Sequence, residues 1–375
     1  MDFRSRKNGV EELVKMKQVW ILLPFYKVGG VEKWARSVLL ALKETHKVTI
    51  YVTGDIDPRT KEIFPDVPLI QLSKFKLFIL SCVGAPDIVI SGLTPSNVFS
   101  CIVFGFRKTK VITSIHLTLK RLSANSGWHQ FLRILAHIFI TYLSDKILAV
   151  SSGVKTDIEE ITGRSDGRVD VIFNPCFGVD ALEKYNKKNL VSKSLKFVAV
   201  GRFDEQKKFD ELVKGFKIAL RHGCDYKLDI YGDGPLFETV KSLITPDVEQ
   251  NIRLLGIKSD IVDHLRSYDA FFLSSVYEGF GNVLAEALSA NLCCVSRDCP
   301  HGPNEILANG EFGFLIQNTD DIGTYLINFQ SQYENFMKLS SSEEYQIKLK
   351  QHLLNFTEEN FSRRLRSIVS DTNKW

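Results

Sequence analysis

At 375 residues the chain is long for one domain and comfortable for two, and 44% hydrophobic with 25% charged residues is the balance of an ordinary globular protein. The net charge of +4 hides an asymmetry, because residues 1–180 carry 24 Lys+Arg against 17 Asp+Glu while residues 181–375 carry 24 against 27. A basic first half points to an anionic partner, either a phosphate-bearing acceptor or an acidic lipid surface; with no compact Lys/Arg block interleaved with aromatics it argues against nucleic acid. The seven cysteines include no C-x-x-C pair, which argues for reduced thiols in the cytoplasm over a disulfide scaffold or a zinc site. Met1–Lys17 has no apolar signal core, and the longest apolar stretch, Ile134–Leu143, is about half of a membrane span. Any membrane contact is therefore expected to be peripheral, and the protein is expected in the cytoplasm.

The first strand pattern is Val19–Pro24, followed by Gly29-Gly30 and a helix from about Glu32 to Lys43. Strand, glycine turn and helix open a doubly wound domain, in which ligands sit at strand C-termini. Further strands are expected at Lys47–Thr53, Pro68–Leu72, Asp87–Ser91 and Lys110–His116. Asp55 and Asp57 have metal-site spacing, but Pro58 makes a turn the better explanation. His116 closes an apolar strand and should face a cleft. Trp128–Leu143 is expected to pack as a helix on the sheet; the alternative is that it, or Lys74–Leu80, lies on a membrane surface. Lys146–Ser151 and Val169–Asn174 complete a first domain over 1–181, and the Lys-rich run Leu182–Ser194 reads as a linker.

A second doubly wound unit is expected over 195–356. The strand Lys196–Val200 leads into Gly201-Arg202-Phe203-Asp204-Glu205-Gln206-Lys207, where a guanidinium and an ammonium suit a diphosphate. Leu228–Tyr231 enters the turn Gly232-Asp233-Gly234-Pro235, and Arg253–Gly256 is the next strand. Ala270–Leu273 is short enough for a buried parallel strand and stops at Ser274-Ser275. Glu278-Gly279-Phe280-Gly281 then makes a tight turn, and a helix is expected from Asn282 as N-cap. Val283, Leu284, Ala287, Leu288 and Ala290 form its apolar stripe. Glu286 borders that stripe, a costly place for a carboxylate unless something donates hydrogen bonds to it. Glycines and a helix start together favour a phosphate, here flanked by Glu278 and Glu286.

The E-x7-E pair Glu278/Glu286, with Asp298-Cys299-Pro300-His301-Gly302-Pro303-Asn304-Glu305-Ile306 after it, resembles the signature of retaining GT-B glycosyltransferases of family 4, in the branch that builds bacterial surface glycans. The GG turn, the histidine strand end, the GR…QK segment and the GDGP turn appear in that family's order. The resemblance implies two Rossmann-like domains facing across a cleft, with a last helix, about 357–375, packing back on the first. It implies transfer of a hexose or N-acetylhexosamine from a nucleotide sugar, most simply UDP-linked, to a lipid-linked oligosaccharide or a lipopolysaccharide or capsule precursor at the inner face of the cytoplasmic membrane. Glu278, Arg202, Lys207 and His116 would be catalytic, with Lys208 an alternative for the lysine role. Gly29, Gly30, Gly256, Ile257, Gly279, Phe280, Gly281, Asn282, Val283 and Glu286 would hold the donor. No metal or other cofactor is expected if Arg202 and Lys207 supply the positive charge. A nucleotide-sugar epimerase and a non-catalytic glycan-binding protein on the same fold are the alternatives.

Overall fold

The computed structural model describes residues 16–27, 29–63, 65–117, 127–183, 194–258, 261–317 and 320–371. The first half alternates strands and helices: β1 (Gln18–Leu23), α1 (Val31–Leu42), β2 (Lys47–Val52), α2 (Pro58–Ile63), β3 (Leu69–Gln71), α3 (Lys74–Val83), β4 (Ile88–Gly92), α4 (Thr94–Phe104), β5 (Lys110–Ile115), α5 (Gly127–Leu143), β6 (Lys146–Ala149), α6 (Ser152–Thr162), β7 (Val169–Val171) and α7 (Asp180–Glu183). The second half continues with β8 (Leu195–Val200), α8 (Phe209–Arg221), β9 (Tyr226–Tyr231), α9 (Phe237–Lys241), β10 (Ile252–Gly256), α10 (Ile261–Leu265), β11 (Ala270–Leu273), α11 (Asn282–Ser289), β12 (Cys293–Arg297), α12 (Pro303–Ile306) and β13 (Phe314–Ile316). Helices α13 (Ile322–Ile327), α14 (Phe329–Ser340), α15 (Glu343–Leu353) and α16 (Glu358–Asp371) close the described chain. Each strand expected from the sequence forms within two or three residues of its expected ends.

Two parallel sheets result, ordered β3-β2-β1-β4-β5-β6-β7 and β10-β9-β8-β11-β12-β13. The strand order reverses between β1 and β4 in one and between β8 and β11 in the other. Doubly wound sheets take ligands at such a reversal, outside the strand C-termini. The loops after β1, β8 and β11 carry Gly29-Gly30, Arg202–Lys207 and Glu278–Gly281, so three of the expected motifs sit at the two switch points.

Strands covered on both faces read as continuous apolar runs. One face of the first sheet packs Ile21, Leu23 and Ile50 against Trp34, Val38 and Leu42 of α1. The same cluster takes Phe361, Leu365, Ile368 and Val369 of α16, so the last helix crosses back and completes this core. Each such side chain is worth about 1.5–3 kcal/mol when fully buried. The opposite face is covered by α3, α4 and α5 through Leu77, Cys101, Phe104 and Ile140. Leu182, the first residue of the expected linker, belongs to α7 and is 3% exposed, and residues 184–193 of that linker lie outside the described residues. Near it the chain crosses a second time: Cys176 N–H donates to the Phe356 carbonyl and Glu358 N–H to that of Phe177, both at 2.9 Å. Cys293 and Cys294 are buried in β12.

Candidate active site

The second domain builds one wall. Lys207 Nζ lies 2.6 Å from Glu278 Oε1, and both side chains are largely buried. Gln206 Nε2 donates to Glu278 Oε2 at 3.2 Å and to the Tyr277 carbonyl at 2.8 Å. Ser274 Oγ donates to the Lys207 carbonyl at 2.6 Å, and Val276 N–H to that of Gln206 at 3.0 Å. The loops after β8 and β11 are thus one hydrogen-bonded unit. Arg202 follows β8 directly; it is exposed, and its side chain makes no hydrogen bond or ion pair with the described residues. Its guanidinium is therefore free among the described residues, on the same loop as Lys207. Gly256 closes β10 beside the GDGP turn, accepting from Gly232 N–H at 2.8 Å, and Ile257 is exposed next to it.

Helix α11 starts one residue earlier than its sequence suggests. Its N-cap is Gly281, in the left-handed region at φ 98°, and Asn282 is the first helical residue. A glycine is free to adopt that conformation, so the cap needs no side chain. Asn282 is thereby released to face the first domain, where its Oδ1 accepts from Asn174 Nδ2 at 2.9 Å. The backbone amides at this helix start remain available to an anion.

The first domain supplies the opposite wall. A Cβ on Gly279 would lie 1.9 Å from the His116 carbonyl oxygen, so only glycine lets the two domains approach this closely. A Cβ on Gly30 would come within 3.0 Å of Asn282 Nδ2, which puts the GG turn against the tip of α11. Ser151 Oγ donates to the Gly279 carbonyl at 2.9 Å, and Phe173 stacks on Phe280 at 5.4 Å. Further out, Glu305 takes the amides of Ser152 and Gly153 at the start of α6, at 3.0 and 3.3 Å. His301 Nε2 meets the buried Asp157 carboxylate at 2.8 Å. The DCPHGPNEI run is therefore a clasp between the domains.

The donor that Glu286 requires is Lys33, whose Nζ stands 2.7 Å from Glu286 Oε1. Glu286 is buried, and its charge holds the Lys33 ammonium above its ordinary pKa. Next to it Glu32 is 2% exposed. One oxygen accepts from Gly29 N–H and the other has no hydrogen-bond partner among the described residues. Burial raises the Glu32 carboxyl from 4.5 to about 7, against the pull of the Gly29 amide and the Lys33 charge. Neither residue stands out in the sequence, because an acid and a base in the first turn of a helix look like solvent-facing groups.

His116 stands at the end of β5 as expected, with Nε2 3.0 Å from Ser114 Oγ and its ring edge-on to Trp34 at 5.2 Å. Burial lowers its pKa to about 4, so the ring is a neutral hydrogen-bonding group at physiological pH. A cavity of about 10 Å³ beside it, room for about one water, is lined by Leu93, Thr94, Ser114 and His137. A wider depression of about 530 Å³ lies at the far, N-terminal edge of β1 and β2, lined by Met16, Lys43 and His46. It lies at the strand ends opposite those that carry the glycine and Arg202–Lys207 loops. Asp57 Oδ1 accepts from Arg59 N–H at 3.0 Å and its carboxylate pairs with the Arg59 guanidinium, which is the turn expected before α2.

Comparison with known proteins agrees with this geometry. Residues 28–176 match the model of Glycosyltransferase Family 4, and residues 194–329 that of Glycosyl transferases group 1. An uncharacterized glycosyltransferase of Methanocaldococcus jannaschii is 30% identical over 320 residues, 82% of this chain and 74% of its own length. The N-acetylgalactosamine-N,N'-diacetylbacillosaminyl-diphospho-undecaprenol 4-alpha-N-acetylgalactosaminyltransferase of Campylobacter jejuni is 30% identical over 178 residues. That match covers 46% of this chain and about half (47%) of the relative. Among solved structures, Anabaena HepE in complex with UDP and glucose superposes with a TM-score of 0.78, covering 94% of this chain and 99% of HepE at 16% identity. Twin parallel sheets, motifs at both switch points and a glycosyltransferase relative matched over 82% of the chain lead to one assignment: the chain belongs to the family 4, group 1 glycosyltransferases and has the GT-B fold.

Proposed function

We propose that the protein transfers a hexosyl or N-acetylhexosaminyl unit from a UDP-sugar to a hydroxyl of a lipid-linked oligosaccharide, or of a lipopolysaccharide or capsule precursor, with retention at the anomeric carbon and without a metal. The observation that carries the reading is the convergence of Lys207, Glu278 and the start of α11 on one crevice, with His116 held against Gly279 from the other domain. In it, Arg202, Lys207 and the amides at Asn282 and Val283 receive the diphosphate. They stabilise the charge that builds on it as the glycosidic bond breaks, which is electrostatic catalysis. Glu278 orients the sugar hydroxyls, and His116, neutral, donates or accepts one hydrogen bond to the sugar. Glu286 accepts from the ribose hydroxyls, so an arriving donor takes the place of Lys33, whose ammonium is then free to turn toward the phosphates. Gly256 and Ile257 flank the base.

Retention follows from attack on the face the diphosphate leaves, the leaving phosphate oxygen taking the acceptor proton; no carboxylate need act as nucleophile. The Campylobacter relative, by its name, makes an α linkage on a diphospho-undecaprenol acceptor, and HepE was crystallised with UDP. Both support the donor and acceptor classes. The cytoplasmic face of the membrane, where such acceptors are built, is the corresponding location. The test is a UDP-sugar panel screened by thermal shift, followed by UDP release with and without lipid-linked acceptor. Acceptor-dependent release with an α product is the expected result. Interconversion of UDP-sugars with no acceptor would replace transferase by epimerase. Glu286→Ala should weaken UDP binding about tenfold, the loss of one to two hydrogen bonds to a charged group; unchanged affinity removes its ribose role.

A further inference from the structure

The outer surface of α3, α4 and α5 breaks the rule for helices packed on a sheet. Such helices bury one stripe and turn a charged or polar face to water. Here Leu77 and Ser81 of α3 face the core, yet Phe75, Phe78, Ile79 and Val83 are exposed at helical spacing on the other side, Phe75 by 71% and Val83 by 85%. Helix α5, about 25 Å long at 1.5 Å per residue, repeats the pattern. His137 and Ile140 are buried, while Trp128, Phe131, Leu132, Leu135 and Tyr142 are exposed. Ile102 and Phe106 add to it from α4 and the loop behind it. Twelve of the 22 exposed large hydrophobics among the described residues fall between Phe75 and Tyr142. The three helices are neighbours: all reach the same core cluster, and Arg107 Nη1, just past α4, donates to the Ser81 carbonyl of α3 at 2.7 Å.

The charge of the same segment is one-sided. Residues 74–144 hold eight Lys+Arg and a single acid, Asp87. The whole basic excess of the first half lies there. Lys74, Lys76, Lys108 and Arg133 are exposed, and their side chains make no hydrogen bond or ion pair with the described residues. The surface also runs to the cleft mouth: Leu117, next to His116, is 41% exposed, and the charge of Arg133 reaches Tyr277 of the second domain.

We propose that this face seats the protein on an anionic phospholipid bilayer, with the aromatic and aliphatic side chains entering the acyl boundary and the lysines and arginines meeting the headgroups. Aromatic residues beside cations on an otherwise apolar helix face suit that boundary. A second copy of this chain suits it badly, since a two-fold interface sets the face against itself and opposes like charges. The inference rests on the proposed lipid-linked acceptor in one respect: it places the cleft mouth at the depth where a diphosphate headgroup lies. It says nothing new of the chemistry.

The test is co-sedimentation of the full chain with vesicles of phosphatidylcholine alone and with phosphatidylglycerol added, at low and high salt. Binding should require the anionic lipid and weaken as salt rises. Phe75→Ser/Phe78→Ser should lower the partition about tenfold or more. Lys74→Glu/Lys76→Glu should lower it about 25-fold or more on anionic vesicles, each lost cation costing about fivefold. None of these four side chains enters the core, and unchanged melting curves would verify the fold. Absence of vesicle binding, binding untouched by both pairs of substitutions, or dimerisation through the face in sedimentation equilibrium each overturns the proposal. UDP-sugar turnover with a water-soluble acceptor is measured alongside. Turnover without vesicle binding sinks the membrane surface alone, and vesicle binding without turnover sinks the transferase reading alone.

Discussion

Replacing Glu32 by glutamine isolates one buried charge. The native carboxyl is 2% exposed and its pKa rises from 4.5 to about 7, chiefly through desolvation. A carboxyl whose pKa rises on folding holds its proton more tightly in the native state. Its contribution to stability is therefore full below pH 4.5, is lost as pH climbs from 4.5 to 7, and stays lost above. At about 1.4 kcal/mol per pH unit the loss amounts to about 3 kcal/mol. Glutamine keeps an oxygen for Gly29 N–H and carries no charge, so Glu32→Gln should be about 3 kcal/mol more stable than wild type at pH 8 and should converge with it near pH 4.5. His116 and His137, both lowered to about 4 by burial, act in the opposite sense, costing stability as pH falls from 6.5. Only the difference between the two proteins reports Glu32. Urea unfolding followed by tryptophan fluorescence suits the measurement, because Trp20, Trp34 and Trp128 all belong to the first domain. A difference that does not vary with pH, or one that grows toward acid, would refute the burial argument.

Lys207→Ala leaves the buried Glu278 charge with only the Gln206 amide, which should cost about 3–5 kcal/mol and lower kcat about 100-fold or more. The double variant with Glu278→Gln should regain stability without regaining turnover; recovery of both would make the pair purely structural. Gly279→Ala forces a methyl against the His116 carbonyl. It should cost about 1–3 kcal/mol in thermal or chemical unfolding and raise the apparent Kd for UDP, and a variant that behaves as wild type would mean the cleft is not closed this way. Turnover should survive EDTA; complete loss, restored by a divalent cation, would bring Asp55 and Asp57 back as ligands.

The strands were readable because parallel strands buried on both faces leave unbroken apolar runs, as in Val19–Leu23 and Ala270–Leu273. The E-x7-E helix was readable because Glu286 interrupts an apolar stripe. Its partner was not, since Lys33 lies 253 residues away and becomes a neighbour only when the two domains meet. Glu32 is hidden for another reason: nothing in a first-turn acid says that it will be 2% exposed in the folded protein. Residue preference points to Asn282 as the cap, whereas the N-cap is Gly281, whose left-handed backbone needs no side chain. For α3 and α5 the apolar content was plain, but which residues stayed outside depended on how each helix rolled against the sheet.

The return of α16 sets an order on biosynthesis. A ribosome delivers β1 long before α16, yet the cluster beneath that sheet lacks Phe361, Leu365, Ile368 and Val369 until α16 is made. At about 5–20 residues per second, the roughly 200 residues between β7 and α16 take on the order of 10–40 s. Throughout that interval the earliest domain waits with an open apolar groove, while the later one can finish first. A stop codon anywhere before α16 therefore strands the beginning of the protein, not its end.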